Sequence, residues 1–167
     1  HYDSVDEYSI PMKLSEYGSS KLSVEHIFNS LSESCSVYSL RLPGVVGGGS
    51  YYASKNFIST LKYKLSTNAE VTITNSDAYF NNIIDPETLY STVNHLLSNQ
   101  INSGAFNIAS AEPVFLRNIV WNMKNLLNSS SSIRFITASE SIKKSFTINV
   151  DKAIEFNLPL NSTMPTV

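Results

Sequence analysis

The sequence predicts an α/β fold, and two observations support that prediction. Short runs rich in β-branched and aromatic residues alternate with longer segments of helical periodicity through most of the 167 residues. Hydrophobic residues make up 42% of the chain and charged residues only 16%, which is typical of a chain that forms a core. We find no internal repeat and no linker that would separate two independent domains.

The first predicted element is an irregular, polar loop that ends at Pro11. A helix follows from Leu14 to about Ser34, with Ser15 as its N-cap. Its apolar side chains recur at the spacing of a single helical face: Val24, Ile27, Phe28 and Leu31.

The later elements follow from the same signals. Predicted strands cover residues 36–42, 70–74, 104–109 and 133–137, and a flexible loop follows the first of them over residues 43–49. Predicted helices cover residues 55–66, 85–99, 113–127 and 150–156. Asp85 before Pro86 is a strong start signal, an N-cap followed by proline at the first helical position. Helical periodicity places Trp121 in the core.

Composition excludes several classes of function. The formal charge of −2 and the scattered basic residues argue against nucleic-acid binding. The uncharged stretch of residues 42–54 is interrupted by proline and glycine, so no membrane span is expected there. A single cysteine, Cys35, and the absence of a signal-like leader predict the cytoplasm. The three histidines are far apart in sequence, so no metal site is expected.

The best candidate for chemistry is the pair Tyr17 and Lys21, four residues apart on the first helix. At this spacing the phenol and the ammonium share a face, so the cation can stabilise a tyrosinate and lower the pKa of the phenol. Such a tyrosine can exchange a proton with a sugar hydroxyl while a hydride moves to or from a nicotinamide. Chance alone predicts about half a match to this pattern, and a second match joins Tyr51 to Lys55.

Four ordered blocks give the pair a context. They are Tyr17-Gly18-Ser19-Ser20-Lys21, Leu40-Arg41-Leu42-Pro43-Gly44-Val45-Val46-Gly47, Asp77-Ala78-Tyr79-Phe80-Asn81-Asn82-Ile83-Ile84-Asp85 and Gly104-Ala105-Phe106-Asn107-Ile108-Ala109-Ser110-Ala111-Glu112-Pro113. In this order the chain resembles the carboxy-terminal half of the extended short-chain dehydrogenase/reductases, the NAD-dependent epimerase/dehydratase family. The resemblance implies the late strands and helices of a Rossmann-type parallel sheet plus a small substrate-binding lobe, without the amino-terminal cofactor half.

The resemblance also implies roles for individual residues. Tyr17 matches the catalytic acid/base, and Lys21 matches the lysine that lowers its pKa and binds the nicotinamide ribose. Cofactor contacts are implied for the turn at Pro43, Gly44 and Val45. Substrate contacts are implied for Gly47, Phe80, Asn81 and Asn82. Residues 1–50 would end the Rossmann-type domain, and residues 51–167 would form mainly the substrate lobe, with some segments returning to the sheet.

The sequence also departs from the family pattern. It lacks the Gly-x-x-Gly-x-x-Gly turn that places a pyrophosphate on a helix N-terminus, and Gly47-Gly48-Gly49 follows a late strand instead. The family's catalytic serine or threonine is missing upstream of Tyr17, and Ala78 or Tyr79 stands where an arginine is often found. We therefore expect a portion of a longer enzyme that is inactive alone.

Two functions follow as hypotheses. The first is part of an NAD- or NADP-dependent epimerase, dehydratase or reductase of a nucleotide sugar, with Tyr17 and Lys21 as its catalytic pair. The second is a non-catalytic sugar-nucleotide-binding or regulatory module without a cofactor site. By analogy with the family, a homodimer is expected in either case.

Overall fold

The computed structural model describes residues 3–11, 14–47, 56–136 and 146–164. The helices in this part of the chain are α1 (Glu16–Asn29), α2 (Phe57–Ser66), α3 (Pro86–Ser98), α4 (Leu116–Leu126) and α5 (Asp151–Glu155). The strands are β1 (Asp3–Val5), β2 (Tyr38–Arg41), β3 (Gly44–Val45), β4 (Val71–Thr74), β5 (Tyr79–Phe80), β6 (Ile83–Ile84), β7 (Gly104–Asn107), β8 (Val114–Phe115), β9 (Ile133–Ile136) and β10 (Phe146–Ile148).

The strands form five pairs, four of them parallel, as an α/β fold requires. The parallel pairs are β1 with β10, β2 with β7, β3 with β6, and β4 with β9, whereas β5 and β8 are antiparallel. Each parallel pair joins strands that are far apart in sequence, with at least one helix between them. The predicted α/β class is therefore confirmed.

Two hydrophobic cores lie on either side of β6. The first core, which we call the α2/α4 core, contains Ile58, Leu61, Leu65, Val71, Ile73, Ile83, Leu116, Ile119, Val120 and Met123. The second, the β7 core, contains Ile84, Leu96, Phe106, Ile108, Ala109, Val150, Ala153 and Leu158. Successive residues of a strand point to opposite faces, and this alternation sends Ile83 into one core and Ile84 into the other.

Three helices end on asparagine in the left-handed conformation. Asn68, Asn128 and Asn157 have φ values of 54°, 47° and 54°, and each follows the C-cap of α2, α4 or α5. Asparagine tolerates this conformation better than other non-glycine residues and supplies the reversal that closes a helix. The chain thus ends these helices without glycine.

Several predicted boundaries are wrong for reasons that are not local. The loop predicted before Pro11 contains β1, which pairs with a strand more than 140 residues later. The helix predicted from residue 113 begins at Leu116, because the backbone of Val114 and Phe115 pairs with β5 instead. The first helix ends at Asn29, and turns follow it as far as Ser34.

One expectation about burial, that of Trp121, is also wrong, and the predicted apolar face of α1 is exposed. Trp121 is 45% exposed and lies against Phe135, with ring centroids 6.2 Å apart, on the outer side of α4. The apolar face of α1 is present but packs into neither core, since Ile27 is 64% exposed and Phe28 is 53% exposed. Periodicity identifies the apolar face of a helix, but it does not show whether another element packs against that face.

None of the helices in the described ranges is long and apolar enough to cross a membrane.

Candidate functional site

The first two turns of α1 contain Tyr17 and Lys21. Ser15 caps the helix by accepting a hydrogen bond from the backbone N–H of Gly18 at 3.1 Å, as predicted. The Nζ atom of Lys21 lies 5.4 Å from the centroid of the Tyr17 ring, and the Tyr17 side chain is 72% exposed. A cation therefore lies beside a phenol that a ligand can reach, which is the arrangement that proton exchange by tyrosine needs.

The segment predicted to contact the cofactor runs beside the segment predicted to contact substrate. In the β3–β6 pair, Gly44 lies opposite Ile83 and Val45 lies opposite Ile84. The amide of Val46 extends the pairing by donating to the Ile84 carbonyl at 2.7 Å. Strand β3, which contains Gly44 and Val45, therefore pairs with the two residues that directly follow the Phe80–Asn82 segment.

Gly47 lies where a side chain would collide with α3. A Cβ atom at this position would lie 2.9 Å from Cγ of Pro86, the first residue of that helix. Real Cβ atoms do not approach a ring carbon this closely, so the chain can pass the start of α3 here only as glycine. Gly47 therefore has a packing role beside its predicted role in substrate binding.

Asn56 fixes the same turn from the other side, and the sequence prediction missed it. Its side chain caps α2 by accepting from the amide of Ser59 at 2.8 Å, and its Nδ2 donates to the carbonyl of Val45 at 3.0 Å. An asparagine directly before the apolar run of α2 is a recognisable N-cap signal. The second hydrogen bond depends on tertiary structure and has no sequence signal.

Phe80 lines an open cleft of about 400 Å³. The cleft is bounded by Phe57, Thr72, Ile73, Thr74, Phe80 and Leu116. The Phe57 and Phe80 rings are tilted, with centroids 5.9 Å apart. Aromatic rings beside threonine side chains offer stacking surface and polar contacts together, which suits a ligand that has both a flat face and hydroxyl groups.

The two neighbouring asparagines differ in their surroundings. Asn81 is fully buried, and its amide joins three backbone groups: Nδ2 donates to the carbonyls of Ser110 and Ile148, and Oδ1 accepts from the Ile148 amide. In this conformation the Asn81 side chain stabilises the fold by linking the backbone at Ser110 to the backbone at Ile148. Asn82 carries a buried Oδ1 atom that has no hydrogen-bond partner among the described residues. Of the two, Asn82 has the unused polar atom.

Arg41, at the end of β2 and two residues before Pro43, connects α1 to β2 and to Glu7. Its Nε and Nη2 atoms donate to both carboxylate oxygens of Glu25 at 3.1 and 2.7 Å, and its Nη1 donates to the carbonyl of Glu7 at 2.8 Å. The hydrogen bond to Glu25 raises the pKa of Arg41 above its usual value, against the opposing effect of partial burial. The sequence prediction assigned no role to this pair.

Some residues that the sequence analysis singled out lie outside the described residues. They are Gly48 and Gly49 of the glycine-rich loop, and Tyr51 and Lys55, the second tyrosine–lysine match, to which we assign no catalytic role. Within the described ranges, no three histidine, cysteine, aspartate or glutamate residues come close enough to hold a metal ion.

No family model and no curated protein matches the chain. Solved structures do match it. A UDP-N-acetylglucosamine 4-epimerase from Bacillus cereus is 22% identical, with a TM-score of 0.71 over 93% of this chain and 52% of that one. A UDP-glucose 4-epimerase from Thermotoga maritima, solved with UDP-glucose, is 15% identical, with a TM-score of 0.73 over 96% and 53%. A UDP-glucuronic acid 4-epimerase from Bacillus cereus, solved with NAD, is 20% identical, with a TM-score of 0.68 over 100% and 52%.

These comparisons establish the fold. The chain has the α/β architecture found in about half the length of the solved epimerases that it matches. The predicted fold, part of the Rossmann-type epimerase architecture, is confirmed at this level.

Proposed function

We propose that the chain supplies the tyrosine–lysine pair and the substrate-binding side of an NAD- or NADP-dependent enzyme acting on nucleotide sugars. The observation that carries this proposal is the Tyr17–Lys21 pair at the exposed start of α1, with the ammonium 5.4 Å from the phenol ring centroid. The fold shared with epimerases, two of them solved with UDP-glucose or NAD, supports the same class of substrate and cofactor.

The residues present fit the nicotinamide end of such a cofactor. The phenol of Tyr17 is accessible, a cation lies beside it, and Val45 leaves part of an apolar side chain exposed after the Pro43 turn. The bound cofactor would supply hydride transfer. Tyr17 would take a proton from the sugar hydroxyl, or return one, and Lys21 would stabilise the phenolate that forms.

The substrate would lie in the cleft between Phe57 and Phe80. These rings offer a flat apolar surface, and Thr72 and Thr74 of β4 also line the cleft. Asn82 does not line this cleft and its Oδ1 atom is buried, so its contact with substrate would require its side chain to turn. Our proposed substrate-binding residues therefore remain Phe80, Asn82 and Gly47. We propose that Asn81 helps to position Phe80 and Asn82 through its buried hydrogen bonds.

The proposal is tested by Tyr17→Phe in the longest natural form of the protein, assayed with NAD or NADP and a series of UDP-sugars. We expect turnover to fall by about 10²- to 10⁴-fold, because general acid–base catalysis contributes this much, while UDP-sugar binding is retained. Tyr90→Phe is the matched control, since Tyr90 is also an exposed helical tyrosine, 68% exposed on α3. Lys21→Met should also lower turnover, because the phenolate that forms in the reaction loses its neighbouring cation.

A second function is a sugar-nucleotide-binding module without catalysis. The observation that favours it is the open cleft lined by Phe57 and Phe80, since two aromatic rings can bind a flat ligand without the Tyr17–Lys21 pair. UDP-sugar binding with turnover that Tyr17→Phe leaves unchanged would support this module and contradict the catalytic proposal.

A further inference from the structure

We infer that Arg41 and Glu25 are positioning residues, which hold α1 against the β2–β7 strand pair and so fix where the Tyr17 phenol meets its substrate. This inference rests on the proposed function of Tyr17. Neither residue would touch substrate or cofactor. Their effect would reach the reaction through the helix that carries the phenol.

The guanidinium of Arg41 joins two segments that flank it. Its Nε and Nη2 atoms form a two-point contact with the Glu25 carboxylate, and its Nη1 reaches the carbonyl of Glu7. The pair is only partly exposed, with 32% of the Arg41 side chain and 15% of the Glu25 side chain accessible. A planar fork that meets a carboxylate at two points fixes orientation as well as distance.

Glu7, which accepts a hydrogen bond from Arg41, is itself hydrogen-bonded to β7. The Glu7 carboxylate accepts the backbone N–H of Asn107 at 2.7 Å, at the end of β7. The Asn107 side chain in turn donates to the carbonyls of Val5 and Asn149, at 3.2 and 3.1 Å. Helix α1 is thereby connected through Arg41 to β1, β2, β7 and the segment after β10.

Among the described residues, apolar packing contributes little to holding α1, so the polar connection through Arg41 is an important attachment of this helix. None of its residues is buried, and its apolar side chains belong to neither core. Tyr17 lies eight residues before Glu25, which is about 12 Å along the axis of a helix. A small rotation of α1 about its carboxy-terminal half would therefore displace the phenol by a larger distance.

The experiment uses Arg41→Met, Arg41→Lys and Glu25→Gln in the longest natural form, with Glu33→Gln as control. Glu33 is exposed in the turns after α1, so its substitution removes a nearby negative charge without touching the pair. We expect Arg41→Met to lower kcat by about 100-fold, the effect of a misplacement of about 1 Å, with KM unchanged. Arg41→Lys should recover part of kcat, because an ammonium can reach one of the two partners. The pH profile should keep its shape, because Tyr17 and Lys21 move together on α1.

Hydrogen exchange supplies a readout that does not need activity. In Arg41→Met and Glu25→Gln, exchange of α1 amides should rise by about tenfold or more, while exchange in α3 stays as in the wild type. Glu25→Gln preserves side-chain shape, so it serves if Arg41→Met fails to fold.

The outcomes separate this inference from the proposed function. If Tyr17→Phe abolishes turnover but folded Arg41→Met and Glu25→Gln keep wild-type kcat, the positioning role is overturned and the catalytic proposal stands. If Tyr17→Phe leaves turnover unchanged, the catalytic proposal fails, and exchange in α1 then decides whether the pair anchors the helix. Unchanged α1 exchange in both variants overturns the anchoring itself.

Discussion

Replacing Asn81 with alanine should destabilise the fold while leaving the ligand-facing groups in place. The side chain is fully buried and makes hydrogen bonds of 3.1, 2.8 and 2.9 Å to the Ser110 carbonyl, the Ile148 carbonyl and the Ile148 amide. Alanine removes all three bonds and leaves these backbone groups without their side-chain partner. The carbonyl of Ile148 and the amide of Ile148 belong to β10, so the loss also loosens this strand.

The expected loss follows from the number of bonds. Each intramolecular hydrogen bond contributes about 1 kcal/mol net, and a buried group left unsatisfied costs about 1–3 kcal/mol. Three bonds therefore predict a fall of about 3 kcal/mol or more in the free energy of unfolding. For a chain of this size, 1 kcal/mol corresponds to about 2–4 °C in Tm, so a shift of about 6–12 °C is expected.

Urea unfolding followed by circular dichroism measures this loss, and Asn82→Ala is the matched neighbour. Because the Asn82 Oδ1 atom has no partner among the described residues, its loss should change the free energy of unfolding by about 1 kcal/mol or less. The reasoning is refuted if Asn81→Ala retains wild-type stability. Wild-type stability combined with weakened UDP-sugar binding would return Asn81 to the substrate role that the sequence predicted.

Three further predictions concern the turns around the site. Gly47→Ala should lower stability by about 1–3 kcal/mol, because its Cβ would lie 2.9 Å from a ring carbon of the first α3 proline; an unchanged Tm would contradict the close approach. Asp85→Ala should cost about 1 kcal/mol in urea unfolding, because Asp85 caps α3 by accepting from the Thr88 amide at 2.7 Å; Asp85→Ser should recover most of it. The hydrogen bond from the Ser9 hydroxyl lowers the pKa of Asp6, with burial opposing it and backbone N–H bonds adding to it. NMR titration of Asp6 should therefore find a midpoint below 3.8. The stability that the lowered pKa contributes is present above pH 3.8 and should be lost as the pH falls through the folded-state pKa. A midpoint at or above 3.8 would contradict the contact with Ser9.

Features set by local chemistry were predictable from the sequence. Asp85 and Pro86 carry their own start signal, and the structure begins α3 there, with Asp85 as the N-cap. Ser15 likewise caps α1 as predicted, and the spacing of Tyr17 and Lys21 does place them on one face. In each case the partners are within four residues, so the sequence contains all the information that the geometry uses.

Features that depend on distant partners were not predictable in the same way. Strand β1 exists because residues 146–148 lie beside it, and its own sequence carries no alternation. The surroundings of Asn81 also depend on a distant partner. The sequence predicts a substrate contact for this residue, and in the structure its side chain forms hydrogen bonds to Ile148 of β10. Trp121 lies on a helix with a well-defined apolar face, yet Phe135 and Lys124 cover only part of its ring.

The position of β6 between two cores restricts how this part of the protein can move. Ile83 belongs to the α2/α4 core, which adjoins the proposed cleft, and Ile84 belongs to the β7 core. A hinge at this strand would withdraw one of two adjacent side chains from its packing, and a register slip of one residue would exchange them. We therefore expect residues 83–84 to stay in place when a ligand binds, and any closure of the cleft to involve other segments, such as the start of α2.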